Sequence, residues 1–139
     1  KSAWMLMIAA CVIFMVLAFA MWLRGEKEHE KMENLCMTSA RMAWQSFEEY
    51  ASTGDNAEFW YGVGDFRSFM TAYLYLNDNE ADPNYLYCNE VYGWMVLNPD
   101  KVKEDMHVLN SALWILSEDY TDPNGYNLMS VLANVLKHG

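Results

Sequence analysis

Residues 3–23 hold no charged side chain, and at helical rise such a run reaches roughly 31 Å, the thickness of a bilayer's hydrocarbon core. The run is expected to be a transmembrane helix. Trp4 and Trp22 sit at its two ends, where an indole buries its ring and keeps its N–H among the headgroups, and Arg24 follows as a polar stop. Ala18-Phe19-Ala20 has the small-x-small form that signal peptidase accepts. The apolar run continues past that point through Leu23, which favours an uncleaved anchor. The span has no small residues four apart, so close GxxxG-type pairing of two spans is not encoded.

Residues 1–24 therefore read as an anchor and residues 25–139 as one compact domain, since what remains is too short for two. Of the nine Lys and Arg all but Lys1 follow the span, as do all 19 Asp and Glu, so the remainder carries 8 − 19 = −11 formal charges. A surface of that sign repels phosphate backbones and anionic lipid headgroups, which excludes nucleic acid as a partner. The expected partners are the bilayer and another membrane or surface protein, with a small-molecule ligand as a further option.

The domain reads as helices throughout. All three prolines follow an Asx residue, as Asp82-Pro83, Asn98-Pro99 and Asp122-Pro123. An Asx side chain caps the free N–H groups of a first turn, and proline at the first helical position leaves no N–H orphaned. A fourth start is Asp55, with Glu58 as its capping-box partner. The helix leaving the membrane is expected to run unbroken over 26–50, with Met32, Leu35, Cys36, Ala43, Phe47 and Tyr50 on its apolar side. Further helices are expected over 56–76, 83–97, 99–117 and 123–137. Their stripes include Phe59, Phe66 and Tyr73; Cys88, Val91 and Met95; Val102, Met106, Leu109, Leu113 and Leu116; and Leu128, Leu132 and Val135. The expected fold is all-α: a transmembrane helix continuing into a bundle of about five helices.

Arg24, Lys27 and Lys31 just after the span favour a cytoplasmic domain by the positive-inside rule. An apolar anchor placed ahead of its domain is, however, the usual form of a signal anchor that exports the domain behind it. A single-pass cell-membrane protein with an extracytoplasmic domain is the expected topology. Cys11 lies in the span, and Cys36 and Cys88 fall on apolar stripes. Outside the cytoplasm those two could pair across a long loop. As buried free thiols they would act as small hydrophobes.

Catalytic and metal chemistry find little support. Glu26…His29 and Glu104…His107 have the Glu-x-x-His spacing of di-iron bundles. Glu104 and His107 project away from the Val102/Met106/Leu109 stripe, and Glu26 and His29 lie in a strongly charged stretch, so both pairs read as solvated surface. No Cys-x-x-Cys, no Gly-x-Ser-x-Gly elbow and no complete dinucleotide fingerprint occurs. The expectation is a non-enzymatic protein without metal or cofactor.

Aromatic residues off the core stripes carry the functional reading. Trp44, Trp114, Tyr61 and Tyr75 lie on the sides of their helices turned from the apolar stripes, where Trp and Tyr serve as interface anchors. In a bundle whose helices are covered on two sides the same residues would be core. The favoured function is a membrane-anchored helical interaction or accessory subunit of a membrane or surface complex. The alternative is an extracytoplasmic ligand-sensing or solute-binding domain.

Overall fold

A computed structural model describes residues 2–139, and every regular element among them is helical. In order they are α1 (Ser2–Thr53), α2 (Asn56–Asn77), α3 (Pro83–Leu97), α4 (Pro99–Lys103), α5 (Met106–Glu118) and α6 (Pro123–His138). The chain divides into two compact units, one ending at Lys31 and the other spanning Met32–Gly139. In the first, every described residue is exposed, and this part of α1 is long and apolar enough to cross a membrane. Phe19 and Trp22 stack there with centroids 5.9 Å apart.

The second unit is the bundle. α1 enters its core with small residues, Cys36, Ser39, Ala40 and Ala43, and with one large side chain, Phe47. Phe47 inserts against Gly62 of α2 so closely that a Cβ there would stand 2.6 Å from Phe47 Cε1. Gly62 is thus the notch that receives α1. A similar notch joins α5 to α6, where a Cβ on Gly125 would meet Leu116 at 2.6 Å. Along α2 a file of rings, Phe66, Phe69 and Tyr73, runs to Tyr126 of α6 with successive centroids 6.1, 6.3 and 5.3 Å apart.

The helix starts obey the local chemistry. Asp55, Asp82 and Asp122 each accept a backbone N–H from the first turn of the helix they precede. Asp82 also accepts the Tyr73 hydroxyl at 2.6 Å, tying the start of α3 to α2. Asn98 precedes Pro99 but makes no side-chain cap bond. At Asp55 the expected capping box takes another form: Thr53 Oγ1, not Glu58, accepts the Asp55 N–H at 3.2 Å. α1 ends at Gly54, whose φ of +72° places it in the left-handed region while its N–H bonds to Tyr50 O.

One expected helix is two. The segment 99–117 breaks at Glu104–Asp105, so the described residues form six helices, α1 included, where five are expected. Its apolar spacing continues across the break, and Val102, Met106, Leu109, Leu113 and Leu116 are all buried. The cause lies in α4, which is held from both sides. Lys101 Nζ lies 4.4 Å from the Trp94 ring centroid and donates to Leu136 O at the end of α6. Lys103 Nζ bonds Asn56 Oδ1 at 2.9 Å and lies over the rings of Phe59 and Tyr50 at 4.8 and 5.1 Å. The chain then turns tightly, with Asp105 N–H on Val102 O, and α5 begins on its own course. Two residues placed on apolar stripes prove exposed: Leu35 and Val135.

The Phe47–Gly62 contact yields a paired test. In Gly62→Ala the added methyl overpacks a rigid buried ring, which costs about 1–3 kcal/mol against about 1 kcal/mol gained in helix propensity, so the variant is net destabilised. Gly64→Ala, with nothing within 4 Å of its Cβ position, should be neutral or up to about 1 kcal/mol more stable. Thermal or urea melts of the two variants check both signs.

Candidate functional site

Helical periodicity alone brings a distinctive set of side chains to one place. Trp44 and Glu48 are four apart on α1, and His107, Asn110, Ser111 and Trp114 stand at i, i+3, i+4 and i+7 on α5. The two faces meet as a cleft of about 540 Å³ lined by these residues and Ile115. A cleft of this volume is of the size that small ligands occupy.

Its walls are two indoles. Trp44 and Trp114 meet with centroids 4.9 Å apart and planes inclined at 51°. Trp44 is half-buried, and Trp114 keeps 47% of its surface in solvent. Glu48 and Asn110 bring the polar groups. Asn110 is 6% exposed, and its Nδ2 donates to Glu48 Oε1 at 2.9 Å. A carboxylate only accepts, so this bond dictates which end of the Asn110 amide faces Glu48. The other end, Asn110 Oδ1, is buried and has no donor. A buried carbonyl without a donor costs about 1–3 kcal/mol. The cleft thus joins aromatic surface and an exposed carboxylate, with the unanswered acceptor sealed behind them, and the Ser111 hydroxyl donates to His107 O in its own helix.

The four aromatic residues named from the sequence divide. Trp44 and Trp114 come together in the cleft. Tyr61 and Tyr75 are well exposed on α2, and neither lines it. Tyr75 borders a separate groove of about 340 Å³ with Met32, Leu35, Arg67 and Ala72. Trp4 and Trp22 are exposed on the apolar part of α1. Glu104 and His107 are both exposed, and His107 reappears as a cleft residue. Glu48 and Asn110 were not singled out from the sequence. Asn110 had a signal there, being a polar residue between Leu109 and Leu113 in an otherwise apolar stretch of helix.

Cys36 and Cys88 are free thiols, both buried, with no bond between them. The Cys36 thiol donates to Phe69 O at 3.7 Å. Burial pushes Cys36 from 9.0 up to about 12, with Glu33 adding to the effect. Cys88 moves the same way through burial first and the nearby Cys36 second. Tyr73 and Tyr126 are likewise raised, chiefly by burial.

No family model matches this chain, and no curated protein or solved structure matches it either.

Two measurements test this geometry. Asn110→Leu removes the unanswered oxygen and should change stability by no more than about 1 kcal/mol, because Glu48 remains solvated. Asn110→Asp sets a buried charge against Glu48 and should cost about 3–5 kcal/mol. Separately, the raised thiol and phenol values mean that the folded protein keeps protons the unfolded chain has lost at high pH. That contribution is intact below about pH 9 and falls away as the pH climbs towards 12. The melting midpoint should therefore drop between about pH 8 and about pH 11.

Proposed function

We propose that this chain is a single-pass, membrane-anchored interaction subunit without enzymatic activity, whose helical bundle stands on the extracytoplasmic side and docks another membrane or surface protein. The exposed indole pair of Trp44 and Trp114 carries this reading. Two tryptophans in contact at the rim of a cleft, one of them half in water, leave apolar area uncovered that a partner would desolvate. The anchor rests on residues 3–23 and their flanking Trp4 and Trp22, and the topology on their likeness to a signal anchor. An acidic bundle disfavours anionic lipid as the docking surface and favours a protein.

The test begins with attachment: alkaline carbonate should leave the full-length protein in the membrane fraction. A photo-crosslinking residue at position 114 should then give one discrete protein adduct in native membranes, and the same probe at the exposed Asn134 of α6 should give none. With the adduct identified and purified, Trp114→Ala should weaken association by more than about 1 kcal/mol while the melting midpoint hardly moves. Release by carbonate sinks the anchor. A loss of about 3–5 kcal/mol of stability with binding intact would show Trp114 to be core and remove the interface.

A further inference from the structure

The α1–α5 cleft pairs features that suit one kind of chemical group. Indole faces carry the negative part of the ring quadrupole and attract cations within about 6 Å. Glu48 adds a carboxylate of which one oxygen, Oε1, receives Asn110 Nδ2. Asn110, itself nine-tenths buried, fixes that carboxylate through Nδ2, while its own Oδ1 is sealed behind the cleft. A group that is flat, positively charged and rich in N–H donors answers the rings and the carboxylate together. An anion would meet Glu48, and an uncharged apolar group would leave Glu48 unanswered.

We propose that this cleft binds a guanidinium group, presented as an arginine side chain of the protein partner. The planar cation lies against the Trp44 and Trp114 rings and donates to the exposed Glu48 carboxylate. Arginine suits the site better than lysine because its planar fork of donors matches a carboxylate while its face stacks on an aromatic ring. The surrounding charge agrees. Met32–Gly139 carries five Lys and Arg against 16 Asp and Glu, and Arg41, Lys101 and Lys103 are engaged within the bundle. This proposal rests on the interaction reading above and names the chemistry of its site.

The experiment uses the full-length protein in detergent and follows the indole N–H resonances of Trp44 and Trp114 on titration with acetyl-Gly-Arg-Gly-amide. Its control is the same peptide with citrulline, which keeps the shape and removes the charge. Expected are saturable shifts of these two indoles, at least about tenfold tighter binding of the arginine peptide, and a loss of that preference in Glu48→Gln, with Glu80→Gln, a distant turn residue, unaffected. Glu48→Gln keeps an oxygen that can accept from Asn110, so the fold should survive, and its unchanged melting midpoint confirms this. Equal binding of arginine and citrulline peptides, shifts that do not saturate, or an unaltered Glu48→Gln response overturns the proposal. Ethylguanidinium should bind no more tightly than the peptide; binding at least about tenfold tighter overturns the peptide source and points to a free solute. If no cation binds while Trp114→Ala still weakens the crosslinked partner, the interaction reading stands and the guanidinium assignment fails. If arginine binds while Trp114 is immaterial to the partner, the reverse holds.

Discussion

The bundle depends on the way Phe47 seats in Gly62. α1 gives the core four small residues and one ring, so its hold on the other helices is concentrated in that ring. A glycine within a helix costs about 1 kcal/mol relative to alanine. Here the missing Cβ opens the space that Phe47 fills, and Phe59 and Tyr50 close around it with ring centroids 5.6 and 5.5 Å from Phe47 and Phe59 respectively. Lys103 then lies over the Tyr50 and Phe59 rings, so the placement of α4 rests on the same aromatic group. The cleft is set in turn. Trp44 is one turn before Glu48 on α1, and Phe47, between them in sequence, fixes the roll of the helix that turns both towards α5.

The features legible from residues alone were those governed by local chemistry. Asp82-Pro83 and Asp122-Pro123 start helices because cap and proline act within one turn, and nothing distant alters that. The break at Glu104–Asp105 was hidden for the opposite reason. The spacing of Val102, Met106 and Leu109 fits one helix, and the forces that split it come from Trp94, Leu136 and Asn56, outside the segment itself. Leu35 and Val135 failed similarly. Periodicity names a face, but whether a given turn of that face is covered depends on where the neighbouring helices reach.

The site shows the same division. Trp44 and Trp114 were legible as misplaced aromatics, since each departs from its helix's apolar stripe. Their pairing between distant helices was not, because helix-to-helix register is a tertiary property. Glu48 passed for one more acidic residue in an acidic chain. Asn110 is the more instructive case: a lone asparagine on a buried helix face requires a partner, and half of its amide has one. That half holds the Glu48 carboxylate beside two indoles, and this distinguishes the cleft from an ordinary seam between helices.

Charge distribution makes the cleft more than a local accident. Arg41 reaches Ser117 O and Glu118, Lys101 reaches the end of α6, and Lys103 reaches the start of α2, so three of the bundle's five cations serve its own packing. Asp55, Asp82 and Asp122 are similarly occupied at helix starts, yet most of the 16 acidic residues are left facing water. The outer surface is consequently more uniformly negative than a simple count of residues suggests. Such a field would favour a basic partner over an acidic one, and its screening by salt would slow encounter before it weakened a docked state. On the proposed reading, the two indoles and Glu48 would receive the same kind of group that the long-range field attracts, so attraction and fit would select together.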